Sequence, residues 1–469
     1  MSRKKMVMPV MLILLFTAMY ISLIFNRNIW TDEAYTIELV RENSFPGIIR
    51  NTAVDVHPPL YYLIVKCFVI LLGDAFWVYK AVSIVPMVLT MVLVCLYGML
   101  WRSEEGTTVL AIVMLNAVPC VLEYAVQIRM YSWALFFVTW AGLGAYAMCA
   151  PDSFRMQRNM QKNSCIQLTA ACILGCYTHT YAMLSCVCIY IILCIYALLC
   201  GMRRKDYGLL KKCLVSGCAV SVCYLPWLVV LVRQTMSRIE NYWIDPVTWE
   251  VICQYPDYLF ASRLPGSAVL YLILCGAAVL ICIRLRRDGI AALLMLAVPV
   301  MTALIGIVVS IVVTPFFIAR YLVPCMGLFA LFLALAFRRE QKAVQILLGV
   351  FGFLMVLNAY QKNFEMEYHS THTDELLQYM DENLGQKDLI AYNFEAYGFI
   401  YNIYFPDRTQ FLSDVDFAGD FDTIWYFDSC VTPWLDTQVL EQYGLAKEFV
   451  MTTGIEQNEF HLYHIRHKE

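Results

Sequence analysis

The chain has 469 residues, of which 60% are hydrophobic and only 15% charged, with a net charge of -3. A soluble chain carries roughly a quarter charged residues, so this composition belongs in lipid. The near-neutral balance argues neither for nor against nucleic acid, but no basic cluster is interleaved with aromatics on a polar face, which argues against such a partner.

The chain opens Met1-Ser2-Arg3-Lys4-Lys5 and is apolar from Met6 to Phe25, long enough to span a bilayer. No small-x-small cleavage site follows, so it reads as an uncleaved first helix with its basic end in the cytoplasm. Further apolar runs lie near 81–100, 107–123, 131–150, 164–178, 181–200, 213–232, 267–283, 290–313, 321–337 and 343–359, giving about eleven spans with the first. The run Pro59–Leu72 is about fourteen residues with Lys66 in its middle, which suits a re-entrant or interfacial helix.

If that run does not cross, one side of the membrane collects Arg102, Arg155, Arg158, Lys162, Arg203, Arg204, Lys205, Lys211, Lys212, Arg284, Arg286, Arg287, Arg338, Arg339 and Lys342. The positive-inside rule makes that side cytoplasmic. The loop 26–80, the turn 123–130, the loop 233–266 and the tail from Tyr360 then lie outside. A multi-pass plasma-membrane protein with a cytoplasmic N-terminus and an extracytoplasmic C-terminal domain is the expectation. In loop 233–266, Trp243 and Trp249 are either interfacial anchors or acceptor contacts.

The tail, 361–469, reads as a small α/β domain beside a membrane domain of residues 1–360. Thr373–Leu384 has helical periodicity, Asp388–Tyr392 and Thr423–Phe427 are strand-like, and Phe460–Ile465 is expected as a closing edge strand. Nearly all nineteen cysteines sit in apolar runs, such as Cys172, Cys176 and Cys186, and read as polarizable fillers rather than disulfides or zinc ligands.

Polar residues concentrate in the first external loop: Trp30-Thr31-Asp32-Glu33-Ala34-Tyr35-Thr36, then Asp55-Val56-His57-Pro58-Pro59. A carboxylate at a low-dielectric boundary can be tuned as a general base, although Asp32 and Glu33 could equally cap a helix starting near Ala34. Asp55, His57 and His179 could contact substrate or hold a divalent cation, but their spacing names no metal. Lys80, Arg129 beside Tyr131, and Arg320 each interrupt apolar sequence, where charge is costly. They are either snorkelling anchors or, together, a wall for a lipid-linked phosphate. His179, next to Tyr181, could also be no more than a helix-end residue.

The order Asp-Glu after the first span, Asp-x-His-Pro-Pro-Leu-Tyr-Tyr, Arg-Met-Tyr at an external helix end and Arg-Tyr near the penultimate span resembles the GT-C superfamily. Within it the chain is similar to glycosyltransferase family 39-like enzymes, which include protein O-mannosyltransferases and lipid A aminoarabinose transferases. The likeness covers roughly residues 1–360. It implies a GT-C fold and inverting transfer of a sugar from a polyprenyl-phosphate donor to an extracytoplasmic hydroxyl of a protein, lipid or glycan. It implies Asp32 as base, Glu33 as its assistant, and Asp55 and His57 as the second acidic motif. It also implies Lys80, Arg129, Tyr131 and Arg320 at the donor phosphate, Lys80 standing where mannosyltransferases carry Arg. No nucleotide pocket is required by it, because the activated sugar arrives on a lipid. A transporter or lipid flippase is the rival class, and would instead place ionisable groups in mid-span with broken helices in paired halves.

Overall fold

A computed structural model describes residues 7–100, 105–149, 158–237, 244–286, 289–369, 372–430, 435–455 and 458–468. The basic start of the chain, Arg102, Arg155, Arg287 and Trp243 lie outside the described residues. The chain forms two compact units. Met1–Ser22, Ser44–Asp74 and Val78–Lys362 make the first; Leu23–Asn43, Ala75–Trp77 and Asn363–Glu469 make the second.

The helices run α1 (Val7–Ile21), α2 (Thr31–Glu42), α3 (Phe45–Val54), α4 (Leu60–Leu72), α5 (Phe76–Leu100), α6 (Glu105–Ala117), α7 (Pro119–Tyr124) and α8 (Tyr131–Cys149). They continue with α9 (Arg158–Cys176), α10 (Thr180–Arg204), α11 (Gly208–Ser237), α12 (Trp249–Phe260), α13 (Ser267–Leu285) and α14 (Ile290–Val312). A 3-10 segment, Ala319–Cys325, leads into α15 (Met326–Ala336), and α16 is Lys342–Tyr368.

Among the described residues eight helices are long and apolar enough to cross a membrane. They match the expected spans from 81, 131, 181, 213, 267, 290, 321 and 343 onward. The remaining three expected spans are also helices, but their apolar stretches are the shorter Val7–Ile21, Glu105–Ala117 and Asn163–Cys176. α4 is likewise shorter than the long spans, at 13 residues.

Every residue of α15 is buried, as suits a helix apolar all round and placed at the centre of a bundle. It packs against α6, α8, α13 and α14. Close approach to α8 rests on two glycines: a Cβ at Gly327 would strike Thr139, and one at Gly142 would strike Leu328. Pro86 inside α5 removes the amide that would have bonded the carbonyl of Val82. The indole of Trp133 donates to that carbonyl instead, at 3.0 Å, so the break is satisfied by a neighbouring helix. All nineteen cysteines are unpaired.

The second unit contains a five-stranded sheet of β1 (Leu389–Tyr392), β2 (Thr409–Phe411), β3 (Ile424–Asp428), β4 (Leu445–Ile455) and β5 (Asn458–His467), in the order β2-β1-β3-β5-β4. β1 pairs parallel with β2 and β3, while β5 runs antiparallel to both β3 and β4. The remaining helices are α17 (Thr373–Asn383), α18 (Gly398–Tyr404) and α19 (Thr437–Gln442). Ile424, Tyr426, Leu440, Leu445 and Ile465 form its core. The expected helix and the strands at 389–392 and 424–428 are present. Phe460–Ile465 is not an edge, however: β5 lies inside the sheet, and β4 takes the edge position.

Candidate functional site

The site in the first unit starts from the two prolines. Pro58 and Pro59 are buried and fix the start of α4, whose first amide, Leu60 N, donates to the carbonyl of Tyr177 at 3.1 Å. That bond ties the end of loop 55–59 to the turn between α9 and α10. As a result His57 stacks on His179, with ring centroids 5.6 Å apart.

His179 is the N-cap of α10, and its Nδ1 accepts from the amide of Tyr181 at 3.1 Å. A cap that accepts must be unprotonated at that nitrogen. Burial, then the charges of Arg129 and Arg320, push the His179 pKa down to about 3. The ring is therefore neutral across the physiological range. Arg129, 2% exposed, brings an Nη within 3.3 Å of His57 Nε2. Guanidinium only donates, so His57 accepts at Nε2 and carries its proton on Nδ1.

The turn that carries Arg129 is held by α5. The Ser83 hydroxyl donates to the carbonyls of Gln127 and Arg129. Lys80, 1% exposed, lies one helical turn before Ser83 and so shares its face of α5. Tyr131 is fully buried at the start of α8, its ring 5.2 Å from His179 and 4.5 Å from Tyr124. Arg320 lies 6.0 Å from the ring of its neighbour Tyr321, which is itself 5.3 Å from His179. The first unit thus gathers His57, Arg129, Tyr131, His179 and Arg320 into one cluster.

A cavity of about 250 Å³ opens beside it. His57, His179, Tyr181 and Tyr321 line it together with apolar side chains of α10, α11 and α14, including Leu184, Leu231 and Val309. Two guanidinium groups around neutral imidazoles suit an anion, and an apolar cavity beside them suits a hydrocarbon tail. Asp55 caps the C-terminus of α3 two residues before His57, its amide donating to Asn51. Among the described residues no three His, Cys, Asp or Glu side chains form a group that could hold a metal ion.

Asp32 and Glu33 belong to the second unit. They are the second and third residues of α2. Glu33, 3% exposed, accepts from the Trp30 amide at 3.1 Å, so the capping alternative describes Glu33. Asp32 is half-buried, and its carbonyl accepts from the Thr36 hydroxyl.

Sequence reasoning missed α12 inside loop 233–266 and the tyrosines it supplies. Tyr258 hydrogen-bonds Tyr124, oxygen to oxygen, at 2.6 Å, and Tyr255 packs edge-on to Phe317. The spacing Tyr255–Tyr258, one helical turn, was the available signal. Lining residues Gln234, Thr235 and Thr314 gave none.

No family model matches the chain. No curated protein matches it either. Solved structures do. ArnT from Cupriavidus metallidurans in the apo state superposes with a TM-score of 0.67 at 11% identity, covering 97% of each chain. The same protein bound to undecaprenyl phosphate gives 0.65 at 11% identity, covering 99% of this chain and 98% of that one. The Archaeoglobus fulgidus oligosaccharyltransferase in the apo form gives 0.44 at 11%, covering 86% of this chain and 64% of its own. The likeness to ArnT extends over both units and establishes the expected GT-C fold.

Proposed function

We propose, on the premise of that fold, that the protein is an inverting glycosyltransferase taking a sugar from a polyprenyl-phosphate donor. The acceptor is a hydroxyl on the extracytoplasmic face. The observation that carries the reading is the cluster of buried Arg129 and His179 with half-buried His57 and Arg320 at the side of an apolar cavity. The undecaprenyl phosphate bound to ArnT supports the donor class.

In this reading Asp32 takes the proton of the acceptor hydroxyl. The acceptor oxygen then attacks the anomeric carbon from the face opposite the phosphate, and the bond from that carbon to the phosphate oxygen breaks. Polyprenyl phosphate leaves with the bonding electrons. Fixed cations, Arg129 and Arg320 with Lys80 on α5, stabilise the charge as it develops. Tyr131 closes the wall behind them, and Asp55 caps the end of α3 just before the loop that carries His57. Glu33 supports Asp32 through the cap of α2 rather than through the acceptor. The N-terminus is cytoplasmic and the C-terminal region extracytoplasmic in this reading, which the charge distribution of the loops supports.

The test is turnover by the purified chain in nanodiscs with a panel of polyprenyl-phosphate sugars, following release of polyprenyl phosphate. Release with one sugar is expected and identifies it. Neither release nor binding of any donor would replace this reading with the transporter.

A further inference from the structure

The helix that carries the base does not belong with the membrane helices around it in sequence. Leu23–Asn43 folds with Asn363–Glu469. We propose that the C-terminal α/β region is part of the catalytic apparatus: it holds α2 in place, and Tyr404 is a positioning residue for Asp32. This rests on the reading of Asp32 as the base.

The argument begins with length. A 12-residue helix is marginal alone, so the direction and rotation of α2 are set by what it packs on. Its buried side includes Ala34, Ile37, Leu39 and Val40, none more than 5% exposed. It docks on α18, with the Tyr35 ring edge-on to Phe399 at 5.7 Å. The lead-in to the helix is tied as well. Asn28 Nδ2 donates to the carbonyl of Met366 at 3.4 Å, and Arg27 Nε donates to Asp374 of α17 at 3.1 Å. Most telling, the Tyr404 hydroxyl donates to the carbonyl of Arg27 at 2.6 Å.

These ties differ in weight. The Arg27–Asp374 pair is 40% and 52% exposed, and such pairs contribute little. The Tyr404 bond is short, and desolvation pushes the Tyr404 phenol far above its ordinary range, so it remains a donor at any working pH. It fixes the backbone five residues before Asp32, at the point where the chain turns into α2. A helix start held there cannot pivot, and Asp32 sits in its first turn.

The experiment compares wild type, Tyr404→Phe and Phe399→Leu as full-length chains in nanodiscs. Amide hydrogen exchange across residues 33–42 is measured on the samples used for turnover. The expected result for Tyr404→Phe is faster exchange in α2. Its kcat should fall roughly ten- to a hundred-fold, the scale of a displacement of up to about 1 Å. The donor KM should stay as in wild type, and the acid limb of the kcat–pH profile should move. Phe399→Leu should give the same pattern more weakly. Unchanged exchange, unchanged kcat, or a joint loss of kcat and donor affinity would each overturn the proposal. If wild type turns over no donor, the reading of the site has failed and the proposal falls with it. If wild type is active and Tyr404→Phe equals it, only the proposal fails.

Discussion

Arg129 and Lys80 of the first unit and Arg27 of the second sit in contrasting surroundings. In the first, Arg129 and Lys80 are 2% and 1% exposed, and the Arg129 guanidinium lies 3.3 Å from His57. In the second, Arg27 reaches Asp374 and Asp381 as pairs that are mostly open to solvent, and the work of placement passes to Tyr404 and aromatic packing. A charge kept in apolar surroundings is costly and persists only where it has a use, whereas an exposed pair costs and gives little. Under the proposed function, donor binding and stabilisation of the leaving phosphate fall to the first unit, and placement of the base falls to the second.

Arg129→Gln should do most to sharpen that division. Losing one charge-assisted bond of about 1.5–3 kcal/mol weakens donor binding roughly ten- to a hundred-fold, read by titrating the lipid donor into nanodiscs. Unaltered affinity would break the comparison. Gly306→Ala tests the cavity wall, because the new methyl would come within 2.9 Å of Phe317 and 3.0 Å of Tyr181. We expect a stability loss of about 1–3 kcal/mol and a few-fold loss of donor affinity.

The pH dependence is a finer probe. His179 is depressed to about 3 when folded, against an ordinary value near 6.5. On acidification the unfolded chain takes up a proton that the folded chain refuses. Its contribution to stability is thus complete above about pH 6.5 and declines as pH falls toward about 3. Donor binding should show no step near pH 6.5 that His179→Gln removes; such a step would contradict a neutral ring. The smallest effect is expected of Arg27→Ala, less than about 1 kcal/mol in a melt, with kcat near wild type.

Much of this was legible in the sequence where burial is one-dimensional. Apolar runs marked the helices, and the fully buried strand β3, Ile424–Asp428, announced itself by composition. β4 did not, because from Ala446 to Gly454 only Thr453 is buried and the strand carries no alternation; without it, β5 looked like an edge. α12 was hidden by Pro256 in its middle. In the site, residue types pointed to Arg129, His179 and Arg320, but the stacking of His57 on His179 depends on the Leu60–Tyr177 bond. No local pattern encodes that bond. Nor does any pattern show that Tyr404 grips Arg27 across 377 residues of chain. Glu33 was legible as an acid, and its bond to the Trp30 amide shows that it caps α2.

The most direct test is a single-turnover measurement of polyprenyl phosphate released from prebound donor and acceptor, for wild type and Asp32→Asn. The account predicts release by wild type and a loss of about 10²–10⁴-fold in the variant, the usual worth of a general base, with donor affinity unchanged. Release from Asp32→Asn at the wild-type rate would contradict it.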